Sequence, residues 1–276
     1  MVAGGGEITL GGPPTLGRPR VHLRETGSTN DRARELAVVG APHGTLVTAS
    51  SQSAGRGRQG RRWSAPAGSA LLMSLLLRSP PPLLPLIAAV AVCDVAGEHA
   101  RVKWPNDIVI VHAPSGTKAH GDPRWTSSTR ADSEAQDPPD TILGAPTMAK
   151  LAGILAEGRP QEGWAVLGIG LNVAVRLQEL PIELRSTAAT LGHSPDAIEP
   201  TLERLLAALA RRLKEPTAQT LDAWRSRDAL YGREIAWNSG RGRAQGIDGT
   251  GRLIVALGDG VRTTLDAGEV HLEPVG

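Results

Sequence analysis

The stretch Ser53–Ser79, SAGRGRQGRRWSAPAGSALLMSLLLRS, decides how the rest of this chain is interpreted. Its first part places four arginines and three glycines within residues 55–62, with no carboxylate among them. Its second part is a long apolar run typical of a buried strand. Glycine lets backbone N–H groups approach a ligand, and arginine pairs with carboxylate or phosphate oxygens. The stretch therefore predicts an anion-binding loop that leads into a β-sheet, with a solvated turn as the alternative.

The glycines of this loop match the dinucleotide-binding pattern G-x-G-x-x-G. In that fold the glycines open a helix whose N-terminus faces the pyrophosphate. Here Pro66 and Gly68 follow, and then a strand, so the dinucleotide-binding interpretation fails. The sequence also lacks the HRD and DFG motifs of kinases and the GxxxxGK[ST] loop. A single-stranded nucleic-acid groove is a third option, although such grooves use aromatic platforms and the chain has no Phe and one Tyr.

Composition limits the classes of protein to consider. A chain of 276 residues can form one large domain or a large and a small one. The formal net charge of +2 gives no global basic field for binding DNA. The single cysteine, Cys93, excludes a disulfide framework and a four-cysteine metal site. No signal peptide is recognised and no apolar run is long enough to span a bilayer, so we expect a soluble cytoplasmic protein without a membrane partner.

The order of periodic segments and turn residues predicts three regions. Residues 1–20 form a flexible N-terminus, residues 21–228 a catalytic domain, and residues 229–276 a small β domain. Within the catalytic domain, we predict helices at TGSTNDRARELAVVG, PLLPLIAAVAVCDVAGEH and EPTLERLLAALARRLKE, the first capped by Ser28 or Thr29. We predict strands at GTLVTAS, SALLMSLLLR, VKWPNDIVIV, KLAGILAE and GWAVLGIGLNVAV. Residues 112–147 are polar and lack periodicity, which predicts a disordered insertion.

Lysine is the exceptional cation in this chain, because only four of the 30 basic residues are lysine. Two of them, Lys103 and Lys150, belong to the strand-like motifs VKWPND and KLAGILAE. A catalytic lysine can hold a carboxylate and an attacked phosphate together while charge develops. A strand-edge role in solubility is the alternative. In GIGLN, Gly168 and Gly170 before Asn172 indicate a close approach to the backbone, or packing against another strand.

Taken together, the motifs GSTN, QxAGRGRxGRxW, KWPND, KLAGILAE and GIGLNV resemble, in this order, those of biotin–protein ligases. The likeness runs over about residues 26–173, and the small β domain follows it. The resemblance implies an α+β fold with a mixed β-sheet catalytic domain, class II synthetase-like as in the biotin/lipoate ligases, and a C-terminal SH3-like β-barrel. It also implies the monofunctional type, because the N-terminal region offers no room for a DNA-binding domain.

The resemblance implies the activity of a biotin–[acetyl-CoA-carboxylase] ligase. Biotin is activated by ATP and Mg²⁺ as biotinyl-5′-AMP, and is then transferred to a lysine of a biotin carboxyl carrier protein domain. The arginine loop would close over the adenylate and exclude water. DNA is not expected as a partner, and the monomer and the homodimer both stay open.

Site residues are carried over by position. The resemblance implies catalytic roles for Lys150 and Arg58, and places the metal at Asp107. It implies biotin-binding roles for Ser28, Thr29, Asn30, Gln52, Arg56, Gly57, Arg58 and Lys150. It implies nucleotide-binding roles for Arg56, Arg58, Arg61, Trp63, Lys103, Asn106, Lys150 and Asn172. Lys103 would act as electrostatic support, and buried packing is the alternative for Trp63.

Two features depart from the family pattern. The insertion over 112–147 lengthens a connection that is usually short, and Gln59 stands where a basic residue is common. Lipoate–protein ligases share the fold and the acyl-adenylate chemistry, so they are the alternative within the fold, although the pairing of KWPND with KLAGIL favours biotin. A non-catalytic nucleic-acid-binding module is the alternative from another class.

Overall fold

The computed structural model describes residues 16–111, 148–258, 260–266 and 270–272. The flexible insertion predicted over 112–147 and most of the predicted N-terminal segment lie outside these residues. Leu16 packs against the main core, and the N–H of Gly17 donates to the carbonyl of Gly44 at 2.9 Å. The packed structure therefore begins before residue 21, where we predicted the catalytic domain to begin. No helix in the described ranges is long and apolar enough to cross a bilayer.

The first domain is built on a mixed seven-stranded sheet in the order β1-β2-β3-β7-β6-β5-β4. The strands are β1 (Arg20–Leu23), β2 (Leu46–Ala49), β3 (Ala70–Arg78), β4 (Ala100–Lys103), β5 (Asp107–Val111), β6 (Met148–Arg159) and β7 (Trp164–Asn172). β1 and β2 run parallel, and the other neighbours are antiparallel. The apolar runs predicted as strands are the central β3 and β7, because both faces of a central strand are covered.

Five helices are seen in the described ranges: α1 (Thr29–Val38), α2 (Leu84–Ala96), α3 (Ile182–Arg185), α4 (Ile198–Arg212) and α5 (Thr217–Arg225). α1 packs against β2, β3 and β7, whereas α2 contacts α4, α5 and the strands β4, β5 and β6. α2 is apolar except for Asp94, and its residues from Leu86 to Cys93 are buried accordingly. Cys93 lies within it, and burial raises the pKa of its thiol to about 12. Cys93 is therefore a buried core residue.

The predictions for α1, α2 and α4 are confirmed, whereas β1, α3 and α5 were missed. α4 buries Leu202, Leu205 and Leu209 on one face, as the helical spacing indicated. In contrast, α5 buries only Thr220, Leu221 and Trp224, which is too few apolar positions to establish a period. β1 is a four-residue strand without a fully buried residue, in a segment rich in proline and glycine. Short peripheral elements of this kind owe their structure to neighbours rather than to their own pattern.

The second domain is an antiparallel sheet in the order β11-β10-β9-β8-β12. Its strands are β8 (Glu234–Trp237), β9 (Gly240–Ile247), β10 (Leu253–Ala256), β11 (Arg262–Leu265) and β12 (His271–Leu272). It rests on the first domain through Trp104, whose indole N–H donates to the carbonyl of Gly251 at 3.1 Å. Gly251 has a φ of +84°, and a Cβ there would lie 3.0 Å from Leu86. The tryptophan of the KWPND motif thus joins the two domains.

Candidate active site

A cavity of about 280 Å³ opens beside the N-terminus of α1 and is floored by β6 and β7. It is lined by residues from every motif that the sequence singled out. The predicted residues among them are Ser28, Thr29, Asn30, Gln52, Arg56, Gly57, Arg58, Arg61, Trp63, Asn106, Asp107, Lys150 and Asn172. Lys103 is the exception: it ends β4 opposite Asp107 and does not line the cavity. Its predicted contact with the nucleotide therefore has no geometric support.

The N-terminus of α1 positions the first wall of the cavity. Ser28 has an extended backbone, and its hydroxyl accepts a weak hydrogen bond of 3.5 Å from the N–H of Asp31. This is the predicted N-cap, which satisfies one of the free N–H groups at the start of a helix. The cap turns Thr29 and Asn30 toward the sheet, where both are buried. The first residues of α1 thus form a polar wall of the cavity.

Asn30 is fixed by the strands beneath it. Its side-chain N–H₂ donates to the carbonyl of Leu155 at 3.3 Å and to a carboxylate oxygen of Glu157 at 2.8 Å. Its side-chain carbonyl accepts from the hydroxyl of Ser74 at 2.6 Å, and the Ser74 oxygen also lies 2.8 Å from the hydroxyl oxygen of Thr29. The amide of Asn30 thus has protein partners on both sides, and its predicted contact with a ligand stays a prediction.

Gln52 completes this wall. Its side-chain carbonyl accepts from the N–H of Thr29 at 2.7 Å and from the hydroxyl of Thr29 at 3.0 Å. Because two donors face the carbonyl, the orientation of the amide is determined and the N–H₂ lies on the other side. A Cβ at Gly55 would lie 3.1 Å from this nitrogen. The wall consequently offers uncharged polar groups, which suit an uncharged polar ligand group.

β7 sets the spacing of the cavity floor. Gly168, Gly170 and Asn172 alternate along the strand and line the cavity, at intervals of about 7 Å. A Cβ at Gly168 would lie 2.1 Å from the side-chain oxygen of Asn30, and a Cβ at Gly170 would lie 2.5 Å from the indole of Trp63. The sequence indicated either an outside group or another strand close to these glycines. The groups that approach are two side chains of the same protein.

Two buried polar atoms at the floor have no hydrogen-bond partner among the described residues. One is the indole N–H of Trp63, and the other is the side-chain oxygen of Asn172. The Asn172 nitrogen donates to the carbonyl of Ala189 at 2.8 Å, which directs the oxygen away from that partner. A buried polar atom without a partner costs about 1–3 kcal/mol. A ligand that supplies the missing donor or acceptor would recover that cost.

Lys150 provides the cation at the floor. Its ammonium lies 2.7 Å from a carboxylate oxygen of Asp107 and 5.7 Å from the centre of the Trp63 ring. Its backbone is held between Thr187 and Ala189, with hydrogen bonds of 2.6 and 2.8 Å. The side chain is 39% exposed, so the ammonium is accessible to a ligand in the cavity. The predicted catalytic lysine thus lies where an anionic substrate could reach it.

The arginine loop folds as a short hairpin that covers one side of the cavity. The N–H of Gly57 donates to the carbonyl of Arg61 at 2.7 Å, and the N–H of Trp63 donates to the carbonyl of Gly55 at 3.0 Å. Partial burial lowers the pKa of Arg58, and the neighbouring charge of Arg61 lowers it further, whereas Asp107 acts in the opposite direction. Arginine stays charged at neutral pH in proteins. A bound anion would therefore relieve the unfavourable proximity of two cations.

Arg56 differs from the other arginines of the loop. Its guanidinium lies 2.7 Å from Asp31 and 3.1 Å from Glu157, and both carboxylates also interact with Arg34. The Arg56 side chain is thus bound by protein carboxylates rather than directed at a ligand. Its predicted contacts with biotin and the nucleotide stay predictions.

Comparison with known proteins agrees with this geometry. Residues 23–173, more than half of the chain, match the Biotin/lipoate A/B protein ligase family. The chain belongs to this family. Residues 232–272 match the Biotin protein ligase C terminal domain, which confirms the predicted small β domain and favours the biotin branch of the family over the lipoate branch.

Individual relatives of this ligase support the assignment. It is 30% identical over 274 residues to the biotin--[acetyl-CoA-carboxylase] ligase of Paracoccus denitrificans. The alignment covers 90% of this chain and 98% of that protein. It is 29% identical over 275 residues to the bifunctional ligase/repressor BirA of Bacillus spizizenii, covering 91% of this chain and 74% of that protein. The biotin protein ligase of Aquifex aeolicus, solved with biotin and ATP, superimposes with a TM-score of 0.69 at 23% identity, covering 94% and 100% of the two chains. This structural likeness confirms the predicted fold.

Asn106 and Asp107 connect the KWPND turn of this ligase to the floor. Asn106 makes two hydrogen bonds with Ile154 of β6. Its side-chain N–H₂ donates to the backbone carbonyl of Ile154 at 2.7 Å, and its backbone carbonyl accepts from the N–H of Ile154 at 3.0 Å. Asp107 pairs with Lys150, and no cluster of three or more His, Cys, Asp or Glu side chains suited to a metal occurs in the described ranges. A Mg²⁺ ion carried by ATP needs only one or two protein carboxylates, so Asp107 alone fits such an ion.

Sequence reasoning missed three contributors to the site. Ser74 and Glu157 hold Asn30, and a segment with Leu184, Thr187 and Ala188 forms a further wall of the cavity. A polar Ser74 inside the apolar run LLMSLLL was a usable signal, because a fully buried hydroxyl requires a partner. Residues 184–188 gave no such signal, because their position beside the cavity depends on the packing of this segment against β6 and not on their own sequence.

Proposed function

We propose that this chain is an ATP-dependent biotin–protein ligase that makes biotinyl-5′-AMP and transfers the biotin to a lysine of a biotin carboxyl carrier protein domain. The observation that carries the proposal is the order of groups along β7. Uncharged polar groups surround Asn30 at Gly168. The Trp63 ring lies at Gly170 with the Lys150 ammonium 5.7 Å from its centre, and the unpaired oxygen of Asn172 follows. An uncharged head group, a carboxylate and a nucleotide match this order.

The biotin end of the cavity is the wall at the start of α1. The ureido ring of biotin is uncharged and carries one carbonyl and two N–H groups. Ser28 and Gln52 offer an uncharged hydroxyl and an amide N–H₂ on this wall. Such groups orient a neutral ligand without the desolvation cost of burying a charge. We therefore assign this wall to the ureido ring.

The first reaction joins the carboxylate of biotin to ATP. A carboxylate oxygen attacks the α-phosphorus, the bond to the bridging oxygen of the β-phosphate breaks, and pyrophosphate leaves. Lys150 neutralises charge on the carboxylate and on the α-phosphate, which allows two anions to approach each other. Arg58 and Arg61 stabilise the phosphate charge, and Mg²⁺ held in part by Asp107 would neutralise the charge on the triphosphate.

The nucleotide is assigned to the far end of β7. We propose that Trp63 packs against the adenine or ribose and that the Asn172 oxygen accepts a hydrogen bond from a base N–H. Both side chains carry a buried polar atom without a partner among the described residues, which supports a polar ligand there. The wide spacing along β7 keeps the nucleotide clear of the biotin wall.

The second reaction transfers biotin to the carrier. The amine of the carrier lysine attacks the carbonyl carbon of the mixed anhydride, loses a proton, and AMP leaves. Until then the arginine hairpin keeps water from the anhydride. The cytoplasmic location and the homodimer both stay predictions.

ATP–pyrophosphate exchange with the purified protein tests the first reaction. The assay is run with biotin, with lipoate and without either acid, and we expect exchange with biotin only. Exchange with lipoate alone would move the chain to the lipoate branch, and no exchange with either acid would refute the proposal. Transfer is then measured to the carrier domain of acetyl-CoA carboxylase, and a carrier with its target lysine replaced by arginine is the matched control.

A further inference from the structure

We infer that Glu157 is a positioning residue that couples the biotin pocket to the arginine loop, an inference that rests on the proposed function. Its two carboxylate oxygens serve different parts of the site. One accepts from the side-chain N–H₂ of Asn30 at 2.8 Å, and the other pairs with Arg56 at 3.1 Å. The side chain of Glu157 is 22% exposed and does not line the cavity. It therefore acts through its two partners.

On the pocket side, Glu157 determines the direction of a chain of hydrogen bonds. Glu157 and the carbonyl of Leu155 both accept, so the nitrogen of Asn30 faces them and its oxygen faces Ser74. Ser74 has one hydroxyl hydrogen, which is directed at Asn30 because an amide oxygen can only accept. Ser74 shares this hydrogen with the hydroxyl oxygen of Thr29 at 2.8 Å, so Thr29 keeps its own hydroxyl hydrogen for the side-chain carbonyl of Gln52 at 3.0 Å.

That chain ends at the groups assigned to biotin. Thr29 also holds the side-chain carbonyl of Gln52, which leaves the N–H₂ of Gln52 for a ligand. A carboxylate at Glu157 thus fixes, through Asn30 and Ser74, which atoms of the pocket wall donate and which accept. Such networks are more costly to disturb than single surface hydrogen bonds, because their members are buried and depend on one another.

On the loop side, Glu157 shares Arg56 with Asp31. Isolated exposed ion pairs contribute little, but here one guanidinium is held by two carboxylates from different elements. Arg56 lies at the base of the hairpin that carries Arg58, so these pairs hold the hairpin against the first domain. The Asp31 carboxylate pairs with Arg34 and Arg56, and contacts the loop without holding the side chain of Asn30.

This difference between the two carboxylates gives a specific test. In Glu157→Gln, one acceptor oxygen replaces two and an N–H₂ group faces a donor, so Asn30 and Arg56 cannot both be satisfied. Asp31→Asn weakens the hold on the loop alone. Glu162→Gln is the matched control, because Glu162 lies on the same β6–β7 hairpin, pairs with Arg159 at 2.8 Å and does not line the cavity.

We expect Glu157→Gln to raise the KM for biotin in the exchange assay by about tenfold, the typical effect of losing one charged hydrogen bond. It should also release biotinyl-5′-AMP faster, measured as biotinylation of a bystander protein. Asp31→Asn should release the adenylate faster with an unchanged KM for biotin, and Glu162→Gln should match the wild type. Glu157→Asp, which retains the carboxylate, should recover part of both effects.

Tryptic cleavage after Arg58 in the ligand-free protein provides a readout that needs no activity. Glu157→Gln and Asp31→Asn should be cut about ten times faster there than the wild type and Glu162→Gln. Equal cleavage rates in all four proteins would overturn the inference, even if the wild type showed no pyrophosphate exchange. If the wild type does show exchange, wild-type kinetics in Glu157→Gln would also overturn the inference. If Glu157→Gln does not fold, the double variant Asp31→Asn/Arg56→Gln tests the loop side of the inference. Unchanged retention of the adenylate in the double variant would refute the coupling.

Discussion

The arginine loop, residues 55–62, and the floor segment, residues 168–172, both carry glycine at alternate positions, for different reasons. In the floor, a Cβ at Gly168 or Gly170 would collide with the side chains of Asn30 or Trp63. In the loop, a Cβ at Gly55 would lie 2.4 Å from the backbone carbonyl of Trp63. The floor glycines thus admit side chains into the site, whereas Gly55 lets the chain fold back on itself. Spaced glycines show that something approaches, and only the structure shows what.

The two regions also differ in how firmly they are held. Residues 168–172 belong to a strand hydrogen-bonded on both sides, by β3 and β6. The loop is exposed and is bound to the first domain in part through the ion pairs of Arg56. We therefore expect changes in the floor to impair formation of the adenylate, and changes in the loop to impair its retention.

The largest effect is expected at the floor. Lys150→Ala removes the ammonium shared by the carboxylate and the α-phosphate, and should slow biotin-dependent exchange by about 10²–10³-fold. Lys214→Ala, at an exposed lysine outside the cavity, is the control and should exchange like the wild type. Exchange within a few-fold of wild type in folded Lys150→Ala would end the catalytic assignment and remove the distinction between floor and loop.

A graded pair of glycine variants sharpens the account of the floor. Gly168→Ala places a Cβ 2.1 Å from the Asn30 oxygen, whereas Gly153→Ala places one 3.2 Å from the Trp63 ring, which a small shift can relieve. We expect the KM for biotin to rise by about ten- to a hundredfold in Gly168→Ala, since Asn30 must leave Ser74, and by less than about threefold in Gly153→Ala. Equal effects in the two variants would show that Asn30 does not order the biotin wall.

The loop is tested by retention rather than by formation. Arg58→Gly should still form the adenylate at close to the wild-type rate but release it about ten times faster, because a charged contact to the phosphate is lost. Release is measured as biotinylation of bystander lysines in a mixture without carrier. Arg176→Gly, at an arginine with a 79% exposed side chain, is the matched control. Tight retention of the adenylate in Arg58→Gly would refute the role of the loop as a cover.

The smallest effect on activity is expected outside both regions, at Asp228. Burial raises the pKa of this carboxyl to about 6, although the N–H groups of Leu230 and Tyr231 act in the opposite direction. Between about pH 4 and pH 6 the folded protein binds this proton more tightly than the unfolded chain, so rising pH lowers the free energy of unfolding. Asp228→Asn lacks this titration.

The free energy of unfolding of the wild type minus that of Asp228→Asn should therefore fall by about 1–3 kcal/mol from pH 4 to pH 7 and then level off. Urea unfolding at several pH values measures this difference. A constant difference would mean that the folded state does not perturb Asp228. Exchange activity at pH 8 should be equal in the two proteins, which separates this effect from those of the floor and the loop.

Much of this molecule could be predicted from the sequence, because its strongest patterns are local. The run around Ser74 is apolar enough to predict a central strand, and Ser28 is a capping residue before a helix. The motif residues meet in one cavity because they lie at the ends of neighbouring strands or helices. Lys103 does not line that cavity, because proximity in sequence to Asp107 does not determine where a side chain points, and its electrostatic role stays a prediction.

The contacts that organise the site could not be predicted. Glu157 reaches Asn30 across more than a hundred residues of chain, and Trp63 lies against Gly153 and Gly170 from different strands. Such pairs depend on the register of β6 against β7, which sets which residues share a face. No spacing along the chain encodes that register.

The contact between Trp104 and Gly251 has a consequence for how the protein is divided into parts. Trp104 is only 2% exposed, and the C-terminal sheet provides part of its cover. Separation of the two domains would expose an indole and leave its N–H without the Gly251 carbonyl. The boundary near residue 229 thus divides the chain topology, whereas the packing around Trp104 spans it. Asp107 follows three residues after Trp104, so the carboxylate beside Lys150 lies close in sequence to a side chain held by a domain that does not line the cavity.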